Sequence, residues 1–84
     1  MSFTFLRLPR ILLKRGKGRT SLYEEIRAGL FPHGVWIGPN SKAWPDFEVD
    51  QVNAALLAGK SPDEIRQLVR DLEAARKTVL GQRA

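Results

Sequence analysis

No cysteine occurs in this chain, so it can form no disulfide, bind no metal through thiolate and offer no thiol nucleophile. A single histidine, His33, sits between Pro32 and Gly34 with no second ligand or base in sequence reach. Catalysis would need a nucleophile or a metal partner that the sequence does not supply. His33 therefore reads as an ordinary loop histidine, and no enzyme activity, metal or cofactor is expected. No apolar run is long enough to span a bilayer. Met1-Ser2-Phe3-Thr4-Phe5 carries no basic segment ahead of an apolar stretch, so no signal peptide is expected, and the chain reads as cytoplasmic. Internal repeats, low-complexity tracts and linkers are also lacking. A chain of 84 residues forms one small domain with a modest core and little room for a deep substrate pocket.

Acid is missing from the first twenty residues, which carry Arg7, Arg10, Lys14, Arg15, Lys17 and Arg19. The remaining bases and acids nearly balance, so the net charge of +5 is concentrated at this end. A solubilising surface is the plain reading of such a run. A phosphate backbone is the functional one.

What is present reads as a series of short elements. Phe3, Phe5, Leu6 and Leu8 suggest an extended segment. Pro9 fits the first position of a helix, where its missing N–H costs nothing. Ile11, Leu12 and Leu13 are that helix's apolar residues, and Gly16 stops it. A second helix is predicted over Arg19–Ala28, with Leu22, Ile26 and Tyr23 inward and Gly29 as cap. Its start is either at Gly18 as N-cap or at Ser21 with Glu24 as a capping box. The longer helix is preferred, because the shorter has barely two turns.

Val35-Trp36-Ile37 alternates as a half-buried strand, Gly38-Pro39-Asn40-Ser41 is turn chemistry, and Lys42-Ala43-Trp44 returns as the second strand. Trp44 is expected in the core, and Trp36 is either packed by the last helix or exposed as a partner contact, packing being preferred. Pro45 again suits a first helical position. Asp46, Glu48 and Asp50 read as a solvated helix start rather than a calcium loop. Phe47, Val49, Val52, Leu56 and Leu57 give this third helix an apolar side before Gly59. Ser61-Pro62-Asp63-Glu64 is a complete start signal: N-cap Ser, Pro next, Glu at the third position. The last helix should run to about Leu80 before Gly81, with Ile65, Leu68, Val69, Leu72 and Val79 as its stripe and Ala75 beside it. The stripe either folds back on the domain or meets a partner, and intramolecular packing is preferred.

The fold class expected is mainly α with a small β-hairpin. Two helices, a hairpin wing and C-terminal helices make a winged helix-turn-helix that fits a DNA major groove. Residues 1–60 would form the DNA-binding unit and residues 61–84 the amphipathic helix that covers it or meets a partner. Gly16-Lys17-Gly18-Arg19-Thr20 lacks the spacing and the preceding strand of a nucleotide-binding phosphate loop.

Several pieces in order carry a resemblance: Leu8-Pro9, Arg19-Thr20-Ser21-Leu22-Tyr23, Gly29-x-Phe31-Pro32, Val35-x-Ile37-Gly38, and Trp44 followed by Glu48-Val49-Asp50. From about Leu6 to Val52 the chain resembles the AlpA family of phage and prophage regulators. These are small winged helix-turn-helix proteins related to excisionases and, more distantly, to MerR-type DNA-binding domains. The resemblance implies that Arg19, Thr20 and Ser21 open the recognition helix and that the hairpin touches the flanking backbone or minor groove. Three positions depart from the family pattern. Glu24 stands where a base is frequent, Asn40 where the wing often has Arg, and Gly34 replaces a common proline, which would loosen the start of the strand.

The candidate site follows. Arg19 can reach guanine O6 and N7 with a bidentate fork, and Thr20 and Ser21 can meet a base edge, bind phosphate or merely cap the helix. Lys14, Arg15 and Lys17 cluster at the turn as phosphate contacts, joined by the Tyr23 hydroxyl and by Lys42 on the wing. Arg27 either meets phosphate or pairs with Glu24 three residues earlier, the pair being slightly preferred.

The expected function is sequence-specific binding of double-stranded DNA by a transcription regulator of prophage or mobile-element genes. It would be of activator or antiterminator type, nucleoid-associated, and a monomer or weak homodimer on tandem sites. RNA polymerase, a sigma factor or an integrase is the possible protein partner, and no membrane is expected. One alternative is an excisionase-like architectural protein directing an integrase, which would bind closely repeated sites and bend DNA. The other is a protein-interaction adaptor on a winged scaffold, motivated by Glu24, Glu25 and Asn40; it would survive charge reversal at Lys14 and Lys17.

Overall fold

The computed structural model describes residues 2–83, and the side chains of residues 2–77. Among these the order is β1 (Phe5–Leu6), α1 (Leu8–Arg15), α2 (Arg19–Arg27), β2 (Val35–Gly38), β3 (Ser41–Pro45), α3 (Asp46–Leu57) and α4 (Pro62–Arg83). It is a winged helix-turn-helix with two further helices. The sheet is antiparallel in the order β1-β3-β2. The N-terminal extended segment is thus a third strand, pairing Phe5 with Pro45 and Leu6 with Trp44 on the inner side of the wing.

Local chemistry sets most boundaries. Pro9 lies in the first turn of α1, and Gly16 ends the helix in the left-handed region at φ 65°. Its N–H donates to the Leu12 carbonyl at 2.9 Å, a C-cap that glycine adopts without steric cost. α2 takes the longer form, with Gly18 as its N-cap. The Ser61 capping box is complete: Glu64 N–H donates to Ser61 Oγ at 3.2 Å, and Ser61 N–H to Glu64 Oε1 at 2.8 Å.

Two boundaries differ from expectation. Pro45 is the N-cap of α3 and the last residue of β3, because its φ/ψ of −63°/134° is extended. α4 continues through Gly81 to Arg83. A mid-helix glycine costs only about 1 kcal/mol, too little to stop so long a helix. Val79 lies outside the residues whose side chains are described.

One core unites the elements. Leu6, Ile11, Leu22, Ile26, Phe31, Trp44, Val49, Val52, Ile65, Val69 and Leu72 form a contiguous buried cluster. Each is worth about 1.5–3 kcal/mol of transfer free energy when fully buried. α4 therefore packs on the rest of the chain, through three of these residues. Leu13, Leu56 and Leu57, counted above among apolar faces, are instead exposed. Leu13 stands about 200° around the helix from Ile11 at 100° per residue, so the two cannot share a face. Trp44 is 1% exposed, and its indole N–H donates to the Pro32 carbonyl at 2.8 Å.

Candidate nucleic-acid interface

Burial of Leu22 and Ile26 fixes which side of α2 faces outward. That side presents Thr20, Ser21, Glu24 and Arg27; these are exposed, as is Arg19 in the first turn, and Tyr23 is half-buried against the core. Among the described residues Arg19 and Arg27 enter no ion pair, and neither does Glu24. The expected Glu24–Arg27 pair is therefore absent, and both side chains stay in solvent. Lys42, on the wing, is half-buried.

Arg15 departs most from expectation. Its side chain is 1% exposed and cannot reach a phosphate outside the protein. It points inward, donating to Asn53 Oδ1 at 2.7 Å and to Glu25 Oε1 at 2.7 Å, and its guanidinium lies 4.8 Å from the Phe31 ring centroid. One arginine thereby ties α1 to α2, to α3 and to the loop after α2. Lys17 donates to the other oxygen of Glu25, and Lys14 pairs with Asp50. Both lysines keep about a third of their surface, 37% and 33% respectively.

The loop between α2 and the wing is held by α4. Arg66 Nε donates to the carbonyl of Ala28, the C-cap of α2, at 2.8 Å. His33 N–H donates to Glu73 Oε2 at 2.8 Å, with His33 Nδ1 3.0 Å from the same oxygen. Arg76 donates to the His33 carbonyl at 2.9 Å and grips both oxygens of Glu48. Glu48 has no exposed surface, so the solvated helix start expected there is in fact a buried ion pair. Residues 28–43 positions apart in sequence make these contacts. No local pattern announces them; only an acid inside the apolar series Phe47-x-Val49 hinted that Glu48 was unusual.

Glycine at position 34 tightens the strand start rather than loosening it. An added Cβ would sit 2.5 Å from Lys42 Cγ and 3.1 Å from Trp44 Cζ2, so only glycine lets the Lys42 stem lie across the backbone. Trp36 is not covered by α4. It stands 67% exposed, outside the buried cluster that α4 helps to form.

The carboxylates of these networks predict an acid response. Burial alone would raise the Glu25 carboxyl, but hydrogen bonds from Lys17 and Arg15 and their charge outweigh it and hold it below its ordinary 4.5. Glu73 is likewise lowered: burial raises it, and the bonds from His33 together with the charges of His33 and Arg76 overcome that. A carboxyl depressed by folding stabilises the native state above its unfolded value, and that contribution is lost as pH falls through the folded one. Stability in urea should therefore be flat near neutrality and drop below about pH 4.5. A Glu25→Gln, Glu73→Gln variant should be less stable at neutral pH and show a shallower acid limb. An acid limb as steep as the wild type's would refute the assignment.

Comparison with known proteins agrees with this geometry. Residues 4–54 match the family described as prophage CP4-57 regulatory protein (AlpA), a stretch that runs from β1 into α3 and leaves α4 outside. The chain is also 39% identical over 56 residues to an uncharacterised protein, ORF88, of Enterobacteria phage P4. That alignment covers 67% of this chain and 64% of the relative, so the chain spans a little under two thirds of that protein. No solved structure matches it significantly. With more than half of its length accounted for by the family pattern, and with the winged helix-turn-helix in place, the chain belongs to the AlpA family of prophage regulatory proteins.

Proposed function

We propose that this protein is a sequence-specific double-stranded DNA-binding regulator of prophage or mobile-element genes. The observation that carries the reading is the start and outer side of α2, where Arg19, Thr20, Ser21 and Arg27 are exposed and, among the described residues, neither arginine enters an ion pair. A solvent-exposed arginine without an internal partner is available to an external anion. A helix of this kind fits the major groove, about 12 Å wide. Arg19 takes guanine O6 and N7, with Thr20 or Ser21 on the neighbouring base edge. Arg27, Lys14, Lys17, the Tyr23 hydroxyl and Lys42 meet phosphates. Arg15 acts only by holding α1 against α2. Regulation follows from occupancy of the site and from contact with RNA polymerase or an integrase, without catalysis by this chain.

The test is a footprint at physiological salt on DNA flanking the protein's own gene, with excess competitor. Arg19→Ala should lose roughly tenfold to a hundredfold in affinity at one site and relax the base preference there. Arg27→Ala should weaken binding to all sequences alike and reduce the salt slope by about 1. Weak, uniform binding by the wild type that vanishes with salt would overturn the reading. The position of the protected site separates promoter control from recombination.

A further inference from the structure

The recognition helix and the outer strand of the wing are lightly anchored in the core. α2 buries only Leu22 and Ile26. β2 buries no residue and, as an edge strand, is held only by β3 and by the chain that leads into it. Residues 28–34 join the two elements. The middle of that loop is fixed by the core, because Phe31 and Pro32 are fully buried. Its ends are what set direction. β2 has four residues and is roughly 13 Å long, so a swing of about 10° at its start moves the hairpin tip by about 2 Å. Such a shift is enough to break a hydrogen bond to an external group.

α4 takes hold of both ends. At the end of α2, Arg66 Nε donates to the Ala28 carbonyl at 2.8 Å, and its stem lies over Gly29, where the chain turns at φ 79°. Asp63, one turn earlier on α4, pairs with the same guanidinium and orients it. At the start of β2, Glu73 Oε2 accepts from His33 N–H at 2.8 Å, and Arg76 donates to the His33 carbonyl at 2.9 Å. The loop atoms held in these three bonds belong to the backbone, so the grip acts on the path of the chain. Arg66, Glu73 and Arg76 are spaced seven and three residues apart, which places them along one side of α4. Arg76 also neutralises the buried Glu48, but Arg66 and Glu73 have no such second duty and lie outside the buried cluster.

We propose that Arg66 and Glu73 are positioning residues for DNA binding: from α4 they fix the angle between the recognition helix and the wing, so that both elements meet one duplex together. Neither side chain touches DNA. The inference rests on the DNA-binding reading above and adds to it the part of the chain that sets its geometry. α4 lies outside the stretch that matches the family, so this brace is not part of the family pattern.

Two substitutions of opposite charge make the test direct. Arg66→Met lowers the net charge, and Glu73→Ala raises it. A field effect on DNA would weaken binding in the first and strengthen it in the second. Loss of the brace weakens both. The full chain is titrated with a labelled duplex carrying the site protected in the footprint, at a temperature where circular dichroism shows every variant folded. Each single variant should lose about fivefold to tenfold in affinity, and the double variant, whose net charge equals the wild type's, should lose more and show a salt slope lower by about 1. Glu73→Gln keeps an acceptor for the His33 N–H and should not weaken binding. Without DNA, the residual dipolar couplings of the α2 and β2 amides should fit one common orientation in the wild type and diverge in the double variant. If the wild type binds and the variants bind equally, or if their affinities move in opposite directions with charge, the brace is overturned and the DNA-binding reading stands. Couplings that still fit one orientation in the double variant would overturn it equally. If the wild type protects no site, the DNA-binding reading falls and the positioning role falls with it.

Discussion

Arg76→Met is expected to cost about 3–5 kcal/mol of stability. Arg76 is the partner of Glu48, whose carboxylate has no exposed surface and takes both its bonds from that one guanidinium. Methionine preserves much of the stem's packing but leaves the carboxylate buried and unpaired. Desolvation of a charge is tolerable only while the opposite charge and its hydrogen bonds compensate it. For a domain of this size each kcal/mol moves Tm by about 4–8 °C, so the melting point should fall by roughly 12–40 °C. Circular dichroism against temperature measures this. Adding Glu48→Met in the same chain should recover most of the loss, because the pair exchanged for two apolar side chains no longer strands a charge. A single variant melting within a few degrees of the wild type would show that the pair is dispensable.

Arg15→Met should lower stability by about 2–3 kcal/mol and leave the salt dependence of DNA binding unchanged. The cost is smaller than at Arg76, because Glu25 keeps Lys17 and retains some solvent. Part of it is offset, since Arg15 Nε is buried without a hydrogen-bond partner and the substitution removes that unsatisfied donor. The prediction separates two roles for a basic residue at the helix-turn-helix turn. A phosphate contact would leave Tm in place and reduce the salt slope by about 1. A strut lowers Tm and leaves the slope of the folded protein alone. Unfolding in urea, with DNA titrations at a temperature where both forms are folded, distinguishes them.

What could be read along the chain was set by short-range chemistry. Gly16 ends α1 because the left-handed turn there is a property of the backbone at one residue. Ser61 and Glu64 complete their capping box three residues apart, whatever surrounds them. Leu22 and Ile26 on one face of α2 put Thr20, Ser21, Glu24 and Arg27 on the other by the same periodicity. The order helix, helix, hairpin, helix, helix was therefore legible, and with it Thr20 and Arg27 on an exposed side of α2, with Arg19 and Ser21 in its first turn.

Long-range pairing decided the rest. Arg15 belongs to the same basic run as Lys14 and Lys17, and nothing local separates the three. Its inward direction depends on Asn53, 38 positions away, and on Phe31. Glu48 looked like one of three acids at a helix start, and only Arg76, 28 residues on, makes its burial tolerable. The alternation expected at Trp36 and Ile37 is broken by the register slip after Trp36, and both side chains stay exposed. Composition, caps and periodicity are properties of neighbouring residues, so the sequence by itself determined the elements, the basic end and the outward face of α2. Which charges point in, which aromatic stays out, and how α4 grips the loop before the wing depend on side chains that meet only after the core has closed, and these the tertiary structure decided.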